Sequence, residues 1–284
     1  MTDIGPGYII GRYEIQQRIG QGGFAMVYLA IDAELGRSVA IKINRHERFD
    51  YDGSSPLKNE ARILAALQHP SILNVFDVGE QSGRIHLVLE YVEGGTLREV
   101  IRDGASPLPH TRLADIAANI ADALDYVHRR GYIHRNIKPQ VILLDSNGRP
   151  RLSGFEVAVQ TEGLDPRSIA GTPAYMAPEQ FSGDADPLGP HTDVWGLGVT
   201  IYECLTGQRP FQGTSIHELR ERIANTDPEP PSNFDSTIPD ELQRICLKCL
   251  SRTPTDRYVT AELLAGDLRA WQRGTQPQEQ RGFS

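Results

Sequence analysis

The chain has 284 residues, of which 39% are hydrophobic and 23% are charged, and its formal net charge at pH 7 is −8. This length can bury the core of a domain of ordinary size, and the acidic charge disfavours nucleic acid and anionic membrane surfaces as partners. The sequence shows no run of about 18 apolar residues and no basic and apolar N-terminal signal, so we expect a cytoplasmic protein that does not insert into a membrane.

The first third of the chain predicts a small lobe built of five strands and one helix. Residues 1–12 are expected to form a loose leader ahead of it. Apolar runs bounded by turn residues predict the strands at 13–20, 27–30, 38–43, 73–78 and 85–90. The dipeptide Ser55-Pro56 is typical of a helix start, with a capping hydroxyl followed by proline at the first helical position. The helix that follows carries Glu60 on a face that is otherwise apolar.

The rest of the chain predicts a second lobe that is mainly helical. Apolar residues with a 3.6-residue period predict a helix over 113–127, and Thr192 is a typical cap for a further helix. Another helix is predicted over 240–250 and one more after Thr260. The polar, glutamine-rich residues 273–284 are expected to form a disordered tail.

The three cysteines are too few for a disulfide scaffold, and two of them, Cys246 and Cys249, form a C-x-x-C pair. Leu242 and Ile245 share their stripe on the predicted helix, and the sequence shows no second pair of metal ligands. Buried packing residues are therefore favoured over half of a zinc site, and no metal site is predicted.

The most informative stretch of the sequence reads His134-Arg135-Asn136-Ile137-Lys138-Pro139-Gln140-Val141 and, after a short hairpin, Gly154-Phe155-Glu156. This spacing resembles the catalytic loop and the metal-binding loop of eukaryotic-type serine/threonine protein kinases, in which the pattern is H-R-D-x-K-x-x-N followed by D-F-G. Against that pattern, Asn136 stands at the catalytic Asp and Val141 at the metal-binding Asn. Gly154 stands at the metal-binding Asp, and Glu156 stands at the Gly.

Further motifs resemble the nucleotide-binding parts of the same family. Residues 20–27 resemble the glycine-rich loop, with Ala25 at the third glycine, and Val39-Ala40-Ile41-Lys42 resembles the strand whose lysine contacts the α and β phosphates. Glu60 is the candidate ion-pair partner of that lysine, with a solvated charge as the alternative. Residues 89–95 resemble the hinge between the lobes. The resemblance implies a nucleotide site formed by Ile19, Gly20, Gly22, Val27, Ala40, Lys42, Glu60, Leu89, Glu90, Val92, Lys138 and Leu143. Plain core packing is the alternative for the apolar members, and an ordinary hairpin is the alternative for the glycines.

The structural motifs of the large lobe also resemble the family. Residues 171–179 resemble the end of the activation segment, Glu179 is expected to pair with Arg257, and residues 193–198 match the central helix. The packing residues Leu64, His134 and Phe155 match the internal hydrophobic spine.

Together the motifs cover residues 13 to about 270 in the family's order. The resemblance implies an α+β protein-kinase fold of two lobes: a small five-stranded sheet with one helix over 13–92, and a large, mainly helical lobe over 93–272. The closest match in style is to the bacterial serine/threonine kinases.

The four departures from the pattern remove chemistry from this frame. Asn136 has no useful basicity, and the loss of a positioned general base typically costs about 10²- to 10⁴-fold in rate. Mg²⁺ prefers oxygen ligands, which the side chains of Val141 and Gly154 do not supply. Glu156 is expected either to reach a cation or to repel phosphates. No catalytic residue is expected to function and Mg²⁺ is not expected, whereas ATP is expected to bind weakly or without Mg²⁺, because the cleft has lost more carboxylates than it has gained.

The sequence therefore predicts a pseudokinase, a kinase-like domain that acts as a regulatory or scaffolding module through protein partners, with an active kinase as one candidate. The alternative is a weakly active serine/threonine protein kinase with an unorthodox site, and a third interpretation is an inert domain whose cleft is filled by its own side chains. By resemblance, Arg135 holds a phosphorylated residue of the activation segment, for which Thr161 and Ser168 are candidates, with ordinary loop hydroxyls as the alternative. Thr172 is expected to have a structural role near Lys138.

Overall fold

The structure, a computed structural model, describes residues 4–44, 55–103, 108–162, 170–182 and 188–274. Its strands are β1 (Ile9–Ile10), β2 (Tyr13–Gln21), β3 (Ala25–Asp32), β4 (Arg37–Asn44), β5 (Val75–Gln81), β6 (Arg84–Glu90), β7 (Tyr132–Ile133), β8 (Ile142–Leu144), β9 (Pro150–Leu152) and β10 (Val159–Gln160). Its helices are α1 (Pro56–Ala65), α2 (Leu97–Asp103), α3 (His110–His128), α4 (Glu179–Ser182), α5 (Pro190–Thr206), α6 (Ile216–Asn225), α7 (Asp240–Cys249) and α8 (Ala261–Gln272).

This architecture confirms the predicted α+β fold of two lobes. Strands β1 to β6 form a six-stranded antiparallel sheet with the order β1-β2-β3-β4-β6-β5, and this sheet and α1 make the small lobe. Helices α2 to α8 make the large lobe, together with two short sheets in which β7 pairs with β10 and β8 pairs with β9. The cleft between the lobes is where the predicted site residues meet.

Strand β1 arises from residues that the sequence predicts to be a loose leader, and for the described part of the leader that prediction is wrong. Ile9 pairs with Glu14, and the side chain of Ile10 is buried. At the opposite edge of the sheet, Gln81 donates from Nε2 to the Ile9 carbonyl and accepts the Gly11 N–H, both at 2.9 Å. The two edges of the curled sheet therefore meet at this side chain. A strand of two residues is too short for its apolar pattern to stand out in a sequence.

Two apolar cores stabilise the lobes. One lies within the curled sheet and consists of Ile10, Tyr13, Ile15, Tyr28, Ala30, Val39, Ile41, Ile43 and Val88. The other is a single cluster that runs from α1 and the cleft side of the sheet into the helices of the large lobe. Because this second core is continuous across the cleft, it positions the residues of both lobes relative to one another.

Helix α1 begins at Pro56, as predicted, after an extended Ser55. The predicted cap by the Ser55 hydroxyl is wrong: it makes no cap hydrogen bond within the described residues, and the Ser55 carbonyl instead accepts the Asn59 N–H at 3.0 Å. Leu64 is buried on the inner face of the helix, and Glu60 is fully buried there as well. A carboxylate on such a face needs a partner, because an unpaired buried charge is costly.

Helix α5 lies at the centre of the large lobe and carries Asp193 beneath the cleft. The predicted cap at Thr192 is wrong, since Gly189 holds that position. The Thr192 hydroxyl accepts the Gly189 N–H at 3.2 Å and donates to Glu179 at 3.0 Å, so it joins the helix start to the activation segment. The helix ends at Thr206 and is followed by Gly207, whose φ of 73° is in the left-handed region that glycine adopts without strain.

Helix α7 buries Cys246 and Cys249, which confirms their role as packing residues. Helix α8 ends at Gln272, and residues 275–284 of the predicted tail lie outside the described residues. Across the ranges that the structure describes, no helix is long and apolar enough to cross a membrane.

Candidate functional site

The polar end of the cleft is a cluster of three charged side chains from three elements. Lys42 on β4 donates from Nζ to both carboxylate oxygens of Glu60 on α1, at 2.9 and 2.7 Å, so the predicted ion pair is present. The same ammonium also donates to the Glu156 carboxylate, which follows β9. The sequence expectations for Glu156 did not include this contact with Lys42. We refer to Lys42, Glu60 and Glu156 as the charged triad.

The protonation of the charged triad follows from its burial. Burial, and then the charge of Glu156, raise the pKa of Glu60 to about 7, against the attraction of Lys42. Burial also disfavours the charged forms of Lys42 and Glu156, but the attraction between them outweighs it. The pKa of Lys42 is therefore raised, and that of Glu156 is lowered. One ammonium faces two carboxylates, so the triad carries an excess negative charge until Glu60 binds a proton.

The turn that carries Glu156 is held by both lobes. It begins at Gly154, whose φ of 84° and ψ of 40° place it in the left-handed region. Phe155 is fully buried next to it. From α1, Asn59 donates through Nδ2 to the Ala158 carbonyl at 3.0 Å. This turn sets the direction of the Glu156 carboxylate. Asn59 belongs to none of the motifs used in the sequence analysis, so its role was not predicted.

The position of the metal-binding Asp is filled by a neighbouring side chain. A Cβ atom added to Gly154 would lie 2.5 Å from Cγ1 of Val141. The valine therefore occupies the space into which a ligand at 154 would project, and its methyl groups offer no oxygen to Mg²⁺. In the described ranges, no group of three or more His, Cys, Asp or Glu side chains is placed to hold a metal ion. The residues present here do not fit the magnesium that the family resemblance implies.

The catalytic loop retains a hydrogen-bonded bridge to the activation segment. Lys138 donates from Nζ to the Thr172 hydroxyl at 2.6 Å, and that hydroxyl donates to Oδ1 of Asn136 at 3.0 Å. The predicted structural role of Thr172 near Lys138 is thus confirmed. Asn136 occupies the position of a general base, but its carbonyl oxygen only accepts hydrogen bonds and does not take up a proton at neutral pH.

Asp193 of α5 and the pair of Glu179 with Arg257 hold the catalytic loop and the activation segment in place. Asp193 accepts the main-chain N–H groups of His134 and Arg135 at 2.8 and 2.7 Å. In the activation segment, Glu179 pairs with Arg257 through two hydrogen bonds of 2.8 and 3.0 Å, as predicted, and both side chains are buried. Bidentate pairs of this kind hold their geometry well, so the frame of the site is rigid where its chemistry has changed.

The predicted spine residues pack against one another. The rings of His134 and Phe155 meet edge to face with 4.5 Å between their centroids, and both residues are fully buried. Leu64 of α1 is buried in the same core cluster as Phe155. Phe155 therefore keeps a packing role although the neighbouring position carries no metal ligand.

The apolar end of the cleft lies toward the hinge. Its predicted wall residues belong to the core that joins the lobes: Val27, Ala40, Leu89, Val92 and Leu143. Ile19 is exposed. The glycine-rich turn is closed by a hydrogen bond of 2.8 Å from the Gly22 N–H to the Ala25 carbonyl, and Gly20 pairs with Val27.

At the hinge, the side chain of Glu90 already has partners, whereas the main-chain groups of Val92 do not within the described residues. The side chain of Glu90 accepts from Nδ2 of Asn74 at 2.7 Å and lies 3.6 Å from Nε of Arg151, so the carboxylate already has two partners. Neither partner belongs to a motif that the sequence prediction used. Among the described residues, the main-chain N–H and C=O of Val92 have no hydrogen-bonding partner. Within the part of the chain that the structure describes, these main-chain groups of the hinge are therefore available to a ligand.

Of the two predicted phosphorylation sites, only Thr161 lies within the described residues. Thr161 is exposed, and both its N–H and its hydroxyl donate to the Gly131 carbonyl, at 2.8 and 3.2 Å. Arg135 is buried and donates from Nε to the Val157 carbonyl at 2.8 Å. The Thr161 hydroxyl and Nε of Arg135 thus donate to different carbonyls. Ser168 lies outside the described residues, and phosphorylation of either hydroxyl stays a prediction.

Fold, cleft and supports together define a protein-kinase domain, and comparison with known proteins agrees. Residues 13–268 match the family described as the protein kinase domain, so the chain belongs to the protein kinase family. Its sequence is 36% identical over 284 residues to the serine/threonine-protein kinase PknB of Mycobacterium leprae, covering 96% of this chain and 45% of that protein. It is 34% identical over 268 residues to the serine/threonine-protein kinase PrkC of Bacillus subtilis, covering 92% of this chain and 40% of that protein. The chain thus spans less than half the length of these relatives.

Proposed function

We propose that this domain is a pseudokinase: a kinase-fold regulatory module that transfers phosphate far more slowly than an ordinary kinase, or not at all. The observation that carries this proposal is the contact between Glu156 and Lys42. In the family, the lysine at this position contacts the α and β phosphates of ATP. Here a carboxylate of the chain itself lies on that ammonium, and the triad has more negative than positive charge.

The other departures support the same conclusion independently. Asn136 leaves the substrate hydroxyl without a general base, a loss of about 10²- to 10⁴-fold. With Val141 against Gly154, the site has no side-chain oxygens for a metal, and a metal clamp typically supplies several kcal/mol of transition-state stabilisation. These losses do not add simply, because base and metal act on the same transition state. Either loss alone is large compared with the turnover of about 1–100 s⁻¹ that is typical of kinases.

The second candidate is a weakly active serine/threonine kinase. Its support is the intact frame, in which Lys42 keeps its pair with Glu60 and Thr172 still joins Lys138 to Asn136. The relatives named above are also called serine/threonine-protein kinases. If this second candidate is correct, the domain uses ATP as its phosphate donor.

Transfer of labelled phosphate from ATP to the domain itself and to a generic basic protein separates the two candidates. The wild type is compared with Lys42→Met, whose folding is checked by circular dichroism, in Mg²⁺ and in Mn²⁺. We expect the wild type and Lys42→Met to show the same rate of phosphate transfer in either metal. A wild-type rate that is slow but above that of Lys42→Met would favour the weakly active kinase. An ordinary rate of about 1 s⁻¹ or more would overturn the proposal.

A module that does not transfer phosphate acts through a partner, and we propose a protein partner, an active kinase in the cytoplasm. Support comes from the intact activation-segment frame around Glu179 and Arg257, which keeps a kinase-like outer surface in place. The test is the phosphorylation rate of a purified active kinase with and without this domain. A rate that is unaffected by an excess of the domain would count against this partner.

A further inference from the structure

A cavity of about 90 Å³ lies in the small lobe, where the residues around β1 meet the turn between β5 and β6. Ile10 and Ile43, both buried, form its apolar side. Arg84 and His86 line it from the start of β6, and the exposed Ser82 lines it from the turn. The cavity therefore runs from the protein surface to the edge of the core.

This cavity lies on the face of the sheet that points away from the cleft. Successive side chains of a strand project to opposite faces. Ile43 and His86 are partners in the register of β4 and β6, and Ile43 belongs to the core within the curled sheet. Their neighbours on the same two strands are Lys42, which is part of the charged triad, and Leu87, which packs in the core that reaches the cleft. A ligand in the cavity would thus not touch the charged triad.

We propose that this cavity is a binding site for a small branched aliphatic carboxylate, with the carboxylate on Arg84 and the hydrocarbon end against Ile10 and Ile43. The site is separate from the cleft, so this inference goes beyond the proposed function.

Arg84 supplies the positive charge for the ligand. Among the described residues, its guanidinium forms no hydrogen bond and no ion pair, although the side chain is partly buried. Within the described ranges, no carboxylate lines the cavity either. A guanidinium presents parallel N–H groups that match the two oxygens of a carboxylate. The charge and geometry of this side chain therefore favour an anion, and a carboxylate in particular.

His86 adds a second polar group on the same face of β6, because it follows Arg84 by two residues. The residue is only 8% exposed, and its Nδ1 has no hydrogen-bonding partner in the described part of the chain. The ring lies against Gly79, where an added Cβ atom would be 2.6 Å from Nε2. Burial lowers the pKa of His86 against the attraction of Asp77, so the ring is neutral near pH 7. With its proton on Nδ1, a neutral ring offers a donor to an oxygen of the ligand.

The size of the cavity limits the hydrocarbon end. One water takes about 30 Å³ of liquid volume, and a cavity of about 150 Å³ is known to take benzene. A cavity of about 90 Å³ therefore suits a body of three or four carbons better than an aromatic ring. Its apolar side is formed by isoleucines, and burial of a branched alkyl group against them is favourable in proportion to the area buried.

Methyl NMR of the folded domain tests the proposal, with the isoleucine δ1-methyl groups labelled. Isobutyrate, its uncharged analogue isobutyramide and the larger benzoate are each titrated at about pH 7 into the wild type and into Arg84→Gln. Arg220→Gln, which removes one exposed arginine from α6, is the matched control for the loss of a positive charge.

For the wild type and Arg220→Gln we expect isobutyrate to shift the methyl resonances of Ile10 and Ile43 saturably, with a dissociation constant in the millimolar range, and to leave that of Ile245 in α7 unchanged. Isobutyramide should bind at least about tenfold more weakly, and Arg84→Gln should weaken isobutyrate by about tenfold, since a charge-assisted hydrogen bond is lost in each case.

The comparison of ligands on the wild type decides the matter even where Arg84→Gln fails to fold. The absence of saturable shifts at Ile10 and Ile43 up to about 50 mM isobutyrate would overturn the inference. Equal affinity for isobutyrate and isobutyramide would show that no cation recognises the ligand, and tighter binding of benzoate would contradict the limit on size. An unchanged affinity in a folded Arg84→Gln would remove the role of Arg84 and the proposal with it.

Discussion

The packing of Val141 against Gly154 can be tested by a double-mutant cycle. Alanine at 154 must adopt a φ near 84°, which costs about 1–2 kcal/mol for a residue with a Cβ atom. Its Cβ would also lie 2.5 Å from Cγ1 of Val141, an overlap that typically costs about 1–3 kcal/mol more. We therefore expect Gly154→Ala to lower the free energy of unfolding by about 2–5 kcal/mol.

The second side of the cycle removes the overlapping methyl groups. Val141→Ala alone should cost about 1–2 kcal/mol, from the two methyl groups lost from a buried position. In that background, Gly154→Ala should cost the backbone strain and a milder contact with the remaining Cβ at 141, so the two changes should couple by about 1–3 kcal/mol in the favourable direction. Urea denaturation of the four proteins measures the coupling. Costs that add to within about 0.5 kcal/mol would show that Val141 does not fill the position of the missing ligand.

Two further predictions concern the charged triad. Lys42→Met leaves two buried carboxylates without a cation and should lower the free energy of unfolding by about 3–5 kcal/mol at about pH 8. The loss should shrink at about pH 5 and in the double variant with Glu156→Gln, and a loss that does not vary with pH would contradict the triad. Because the pKa of Glu60 is raised from 4.5 to about 7, the native state holds a proton that the unfolded chain releases, so this contribution is complete below the lower value and lost as pH rises through the higher one. The free energy of unfolding of the wild type relative to Glu60→Gln should thus fall by about 1–3 kcal/mol between about pH 5 and about pH 8, and urea curves showing a rise would refute the assignment.

Motif spacing predicted the contacts that belong to the fold's common frame. Lys42 with Glu60 and Glu179 with Arg257 are far apart in sequence, yet both pairs are present. A motif carries such information because the two partners keep their positions wherever the fold is kept. Secondary structure set by long apolar patterns was predictable for the same kind of reason, since a period reports burial directly.

The features that escaped prediction depend on single side chains and local turns. The contact of Glu156 with Lys42 depends on the left-handed backbone of Gly154 and on the hydrogen bond from Asn59 to the Ala158 carbonyl. That hydrogen bond joins the two lobes, and Asn59 belongs to no motif. Glycine has no side chain that could act as a cap, so the sequence offered no reason to place the cap of α5 at Gly189. Strand β1 depends on how the sheet curls, which is a property of the whole small lobe.

The departures in the cleft are compatible with one another, and this determines how activity would be restored. Val141 fits because position 154 has no side chain, and the carboxylate of Glu156 already lies on Lys42. Gly154→Asp alone would meet both the side chain of Val141 and the carboxylate of Glu156, so it should destabilise the domain without yielding activity. Asn136→Asp alone should give almost none, because no metal site accompanies the base.

We expect measurable phosphate transfer only when all four positions are changed together, to Asp at 136, Asn at 141, Asp at 154 and Gly at 156. The joint change removes the methyl groups that block position 154 and the carboxylate that lies on Lys42. Transfer should exceed that of the same variant carrying Lys42→Met, because the lysine at this position contacts the α and β phosphates in the family. A fourfold variant that folds and binds ATP with Mg²⁺ but transfers no phosphate would show that divergence extends beyond these positions, with the glycine-rich turn at Ala25 the first place to examine. A single Asn136→Asp variant that transfers phosphate at an ordinary rate would show instead that the metal site was never lost.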